Sequence, residues 1–131
     1  TRSNREAIMR VPAYRPGSAE TCRVVMRNPD VACNPYLSFA VLLAAGLDGI
    51  QRSLALPEPC EAAQAVGGCH GCGILPQNLG EAIEAFAASS LMKETLGEHT
   101  HSFLVRSKTE EWKRYQATVT QWETDRLLAV L

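Results

Sequence analysis

The chain has 131 residues, 46% of them hydrophobic and 21% charged, and thirteen Lys and Arg against fourteen Asp and Glu leave a net charge near −1. That composition suits one folded domain with a modest core and excludes a disordered chain. Without a global basic field it also argues against nucleic acid or an anionic membrane as partner. The uncharged run Asn34 to Leu47 is too short to span a bilayer and no signal-peptide pattern is present, so a soluble, cytoplasmic protein is expected. A first residue of Thr1, followed by charged residues leading into an apolar pattern, reads as a start inside a longer protein, and removal of an initiator Met would give the same first residue.

Residues 6–14 (E-A-I-M-R-V-P-A-Y) read as a strand, closed by Pro12 or by the Arg15-Pro16-Gly17-Ser18 turn. A second strand, 22–27, stops at Asn28-Pro29-Asp30. The turn between them suggests an antiparallel pair, and two strands alone are marginal in water. They need helices of this chain, or strands supplied from elsewhere, to pack on. A helix over about 35–54 follows, with Asn34 as N-cap and Pro35 at its first position. It is apolar on nearly every face until Asp48, so burial on several sides is expected. Residues 55–74, rich in Pro, Gly and Cys, read as a variable loop. A helical tail over 78–131 opens at Asn78, with Glu81 three residues on. The tail then divides into a short helix capped by Ser89 or Ser90 and ending at Gly97, a long amphipathic helix over about 102–117, and a last helix behind a Thr120/Glu123 capping box. The fold class is α+β: two antiparallel strands belonging to a larger sheet, a buried helix and a helical C-terminal tail.

Five cysteines, an odd number, and no secretory signal argue against a disulfide framework. Cys60, Cys69 and Cys72 supply three of the four ligands a structural zinc site needs. The plainer alternative is a reduced, glycine-rich loop.

The arginines carry more. Arg5, Arg10, Arg23 and Arg27 all lie on or beside the two strands. In a regular strand Arg23, Val25 and Arg27 share a face, with the two guanidiniums about 13 Å apart. At an effective dielectric of 20 they repel by roughly 1 kcal/mol unless an anion lies between them. Either the face binds a carboxylate or phosphate, or it is a solvated face with arginines paired to local carboxylates. Arg5 and Arg10 are an odd number apart, so only a bulge or a strand end lets both join one site.

The runs S-N-R-E-A-I-M-R-V-P and R-V-V-M-R-N-P-D-V-A-C-N-P-Y-L-S-F-A-V-L-L-A-A-G-L-D-G-I, with the later L-P-Q-N-L-G-E-A-I-E-A and E-W-K-R-Y-Q-A-T-V-T-Q-W-E, resemble the C-terminal part of a bacterial type I glutamine synthetase catalytic domain. The resemblance covers about residues 3–51 and 74–131 and matches the intervening loop poorly. It implies ATP-dependent ligation of ammonia to glutamate through a γ-glutamyl phosphate, with Mg²⁺ or Mn²⁺, in a homo-oligomeric double ring. It further implies that Arg5 is catalytic, stabilising the transferring phosphoryl group. Arg10 and Arg23 would bind ATP phosphate, and Arg27 would bind the glutamate carboxylate. Phosphoryl transfer is mostly positioning and charge neutralisation, which fixed arginines suit.

Departures from the family pattern matter. The family's R-x-E-x-R places a metal-binding Glu where this chain has Val25, and valine offers no oxygen to Mg²⁺ or Mn²⁺. Glu6 replaces a serine beside the phosphate-binding Arg5. Most metal and ammonium-site carboxylates of the family are absent, so the isolated chain is not expected to catalyse. Two alternatives follow: a non-catalytic relative that uses its helical tail for assembly, and a related γ-glutamyl-amine ligase.

Overall fold

The computed structural model describes residues 7–56 and 74–128. Arg5, Glu6, Cys60, Cys69 and Cys72 lie outside them. The chain divides into two compact units, Thr1–Ile74 and Leu75–Leu131.

In the first unit, β1 (Met9–Arg10) and β2 (Val25–Met26) pair antiparallel, Met9 opposite Met26 and Arg10 opposite Val25. The ladder is much shorter than the apolar runs around it. Pro12, two residues past Arg10, has no N–H to donate, and the chain bends away instead of extending the pairing. The turn at Arg15–Ser18 closes through the Ser18 N–H donating to the Arg15 carbonyl at 3.1 Å, with Gly17 at φ +88°. Pro16 before a left-handed glycine is the composition of a type II turn. A 3₁₀ turn over Ala19–Thr21, not expected from the sequence, follows directly. Thr21 stitches the two turns together: its hydroxyl donates to the Ser18 carbonyl at 2.7 Å and accepts from the Arg15 N–H at 3.1 Å.

Helix α1 spans Pro35–Gln51. The Asn34 side-chain oxygen accepts from the N–H groups of Tyr36 and Leu37, and Pro35 takes the position where no donor is missed. Its end is a Schellman motif: Leu54 N–H reaches the Gly49 carbonyl and Ser53 N–H the Ile50 carbonyl, with Ser53 at φ +50°. The expected burial of α1 does not occur. No described residue of it is buried, and no other described helix or strand packs on it. Tyr36, Phe39, Leu43, Leu47 and Ile50 recur at three- and four-residue spacing and stand half or more exposed. An apolar stripe of that kind needs a cover, and the described residues contain none. The helix is apolar enough for a core position, but the described residues do not supply the opposing layer.

The second unit is helical. Helix α2 (Leu79–Ala88) begins where the Asn78 side chain accepts from the Glu81 N–H at 2.9 Å. The Glu81 carboxylate in turn accepts from the Gln77 backbone N–H and the Asn78 side-chain amide. Helix α3 (Ser90–Ala117), capped by the Ser89 hydroxyl, is interrupted at Gly97 alone, where φ is +76° and ψ 155°. The long helix therefore resumes at Glu98, earlier than the sequence suggested. The Lys93–Glu98 ion pair at 2.7 Å bridges the interruption, and the Ser102 hydroxyl donates to Glu98.

The limb after Gly97 runs back along α2, so Phe86 meets His101 and Gly80 meets Trp112. A Cβ at Gly80 would stand 2.7 Å from the indole Nε1 of Trp112, so glycine is the residue that permits this approach. Leu79, Ile83, Phe86, Leu104 and Val105 line an apolar groove of about 210 Å³ between the two helices.

His101, 6% exposed, is the one buried residue among those described. Its Nε2–H donates to the Phe86 carbonyl at 3.2 Å, and its ring stacks on Phe86 with centroids 4.9 Å apart. That carbonyl also accepts from Ser89 N–H, so the contact closes the C-terminal end of α2 onto α3. His101→Ala is expected to destabilise the helical unit by about 2 kcal/mol through lost packing and a lost hydrogen bond. His101→Gln, which keeps a donor, should lose less; urea midpoints at constant slope compare the two.

Helix α4 (Gln121–Leu127) opens with a complete capping box, Thr120 hydroxyl to Glu123 N–H and Glu123 carboxylate to Thr120 N–H. The backbone N–H and then the hydroxyl of Thr120 hold the Glu123 carboxyl below its ordinary 4.5, and the Lys93 hydrogen bond does the same for Glu98. A carboxylate depressed in the folded state stabilises fully above the unfolded value and progressively less as pH falls through the folded one. Helicity is therefore expected to fall between pH ~4.5 and lower values, and Glu123→Gln should flatten that step in a far-UV dichroism titration.

Candidate anion-binding strand face

In an antiparallel ladder, residues directly opposite each other share a face, as do residues two apart on one strand. Arg10 is opposite Val25, and the Arg27 N–H donates to the Ile8 carbonyl at 3.0 Å, which continues the same register. One face of the strand pair thus presents Arg10, Val25, Ile8 and Arg27. Arg10 and Val25 are half-buried and Arg27 is exposed. Arg23 precedes the ladder and is also exposed, so the shared face inferred from alternation holds for Val25 and Arg27 and is not established for Arg23. The face gains Arg10, which the sequence left without a fixed place relative to the second strand. Only the register could place it, and no short-range signal encodes a register across a fourteen-residue connection.

Among the described residues these cations lack local partners. The described part of this unit holds five arginines (Arg10, Arg15, Arg23, Arg27, Arg52) and three carboxylates (Glu20, Asp30, Asp48), a net +2. Asp48 pairs with Arg52 at 3.1 Å, and an Asp30 oxygen accepts from the Ala32 N–H at 2.7 Å. Among the described residues Arg10, Arg23 and Arg27 make no ion pair. The Arg10 Nε is buried with no hydrogen-bond partner, and a buried, unmatched charged donor is costly. Diagonal neighbours across a ladder lie about 7 Å apart. At that distance two guanidinium charges repel by roughly 0.6 kcal/mol in water and 2 kcal/mol at an effective dielectric of 20. An anion seated on the face removes the repulsion and supplies the missing acceptor. Among the described residues, arginines paired to local carboxylates do not account for this face.

A divalent cation does not fit here. Mg²⁺ and Mn²⁺ take oxygen ligands, and the described side chains on this face are two guanidiniums, a valine and an isoleucine. Among the described residues no three His, Cys, Asp or Glu side chains gather as a metal site. A phosphate or carboxylate fits the guanidiniums well.

A family model described as the glutamine synthetase catalytic domain matches residues 1–127. The chain belongs to the glutamine synthetase catalytic-domain family. Curated glutamine synthetases from Mycolicibacterium smegmatis and Methanococcus maripaludis are each 41% identical to it across 98% of its length. One from Thermus thermophilus is 42% identical across 97%. The match covers 30%, 29% and 29% of those relatives, so the chain spans under a third of their length. The α+β order of two antiparallel strands followed by helices is the observed one. No described helix is long and apolar enough to cross a membrane.

Proposed function

We propose that the chain is the C-terminal portion of an ATP-dependent glutamate–ammonia ligase, contributing one wall of the site where glutamate is activated as γ-glutamyl phosphate. The observation that carries this is the buried, unpartnered Arg10 Nε on the same face as Arg27, in a chain of this family. In this reading Arg10 and Arg23 bind ATP phosphate, Arg27 the glutamate carboxylate, and Arg5 the transferring phosphoryl group. Guanidinium suits each role because it stays charged and offers paired donors to planar or tetrahedral oxyanions. Mg²⁺ or Mn²⁺ would supply further neutralisation of phosphate charge, and the described side chains of this strand face offer it no ligand. The ligase works in the cytoplasm as a homo-oligomer, with domains 1–131 comprising strands, helix, loop and helical tail of one catalytic domain.

The separate chain binds ATP without forming glutamine. Purified chain, assayed for ATP-dependent glutamine formation and titrated with ATP, tests both halves. Turnover would overturn the claim that it is only part of a site, and failure to bind ATP would overturn the role of the arginines.

Val25 favours a second reading, a non-catalytic relative retained for assembly. Val25→Glu in a chimera that places residues 1–131 in the M. smegmatis relative distinguishes them. A rise in metal-dependent activity points to a lost ligand, whereas unchanged activity removes Val25 as support for this reading.

A further inference from the structure

Among the described residues, the charge on the strand face is wholly positive and its centre is apolar. Val25 is opposite Arg10 in the ladder and two residues from Arg27. The three described carboxylates of the unit are placed elsewhere: Asp48 on α1 in its pair with Arg52, Asp30 in its own turn, Glu20 in the 3₁₀ turn. Among the described residues no side-chain oxygen stands on the face to hold a cation between protein and ligand. Resting on the anion-binding role given above, we infer that this face takes a polyphosphate without a divalent ion bridging it to the strands. Guanidiniums alone neutralise the ligand, and the metal-free anion is the preferred form.

The physical reason is a competition for the same negative charge. A Mg²⁺ ion chelated by the phosphates cancels two of their charges and occupies oxygens that Arg10 and Arg27 would otherwise contact. Where a strand offers a carboxylate, that ion gains a protein ligand and joins the complex. Where the strand offers valine, the ion gains nothing and the anion loses charge. The side chain at position 25 thus decides whether metal helps or hinders binding at this wall.

Inorganic tripolyphosphate is the probe, titrated calorimetrically into the chain in EDTA and again with excess Mg²⁺. Binding in EDTA is expected, weakened roughly tenfold by Mg²⁺ as ligand charge is lost. Val25→Glu should weaken metal-free binding by a similar factor, because its carboxylate pairs with the guanidiniums, and should make Mg²⁺ or Mn²⁺ promote binding. Val31→Glu, the same change at a fully exposed position outside the ladder, should keep the Mg²⁺ dependence of the original chain, which separates a carboxylate on the face from added charge elsewhere. Tripolyphosphate binding that requires Mg²⁺ in the unsubstituted chain would overturn the inference while leaving the arginine wall standing. No binding in either condition would overturn both. The unsubstituted comparison needs no variant to fold.

Discussion

Arg10→Ala is expected to weaken ATP binding by the chain about 10- to 100-fold, the worth of one or two hydrogen bonds to a charged group. Arg10 is half-buried, with its Nε sealed from water and unmatched, so its donors meet the ligand in a setting where they are not already satisfied. Arg10→Lys should recover only part of the loss, since an ammonium delivers charge without the planar fork. Arg15→Ala is the control. Arg15 sits in the turn beyond β1, outside the ladder face, and its removal should leave ATP affinity near that of the original chain. Calorimetric titration compares the four proteins. Equal losses for Arg10→Ala and Arg15→Ala would mean that net charge, not the strand face, attracts the nucleotide.

Gly97→Ala should destabilise the helical unit by about 1–3 kcal/mol. With φ +76° and ψ 155°, Gly97 occupies backbone space that is essentially glycine's own. A Cβ there would meet nothing within 4 Å, so the cost lies in the backbone and not in a clash. Relieving the strain means straightening α3, which would carry the limb bearing His101 away from Phe86. Urea midpoints check this, with Gly46→Ala, in the first unit, as comparison. Gly46 is inside α1 at an ordinary φ with open space around it, and alanine there should stabilise that helix by up to ~1 kcal/mol. Similar shifts of the same sign from the two substitutions would show that the Gly97 conformation is not needed.

Local structure was largely legible where one residue and its near neighbours set it. Asn34 with Pro35, Asn78 with Glu81, and Thr120 with Glu123 announce helix starts because a side-chain oxygen within three residues satisfies orphan N–H groups. Gly97 announced an interruption, but nothing local told that the helix resumes at once. The 3₁₀ turn at Ala19–Thr21 was missed because it is held by Thr21 to Ser18 and Arg15 contacts that no composition rule isolates. The burial of α1 was misjudged for a different reason. Apolarity states what a helix needs and not whether the chain provides it.

For the site, the types of residue were evident and their meeting was not. Arg10, Arg23, Val25 and Arg27 stand out in the sequence as cations around an apolar position, and family resemblance attaches a chemistry to them. Alternation within a strand could pair Val25 with Arg27. It could not bring in Arg10 or show that Arg23 precedes the ladder, since both depend on hydrogen bonds between segments fourteen residues apart. By itself, then, the sequence determined the α+β order, the helix caps, the family and the absence of a carboxylate at position 25. Only the tertiary structure decided that Arg10 faces Val25, that Arg10 Nε is left without a partner, and that α1 has no cover among the described residues. Caps and turns are written by interactions over three or four residues. Register and burial depend on what comes to lie opposite.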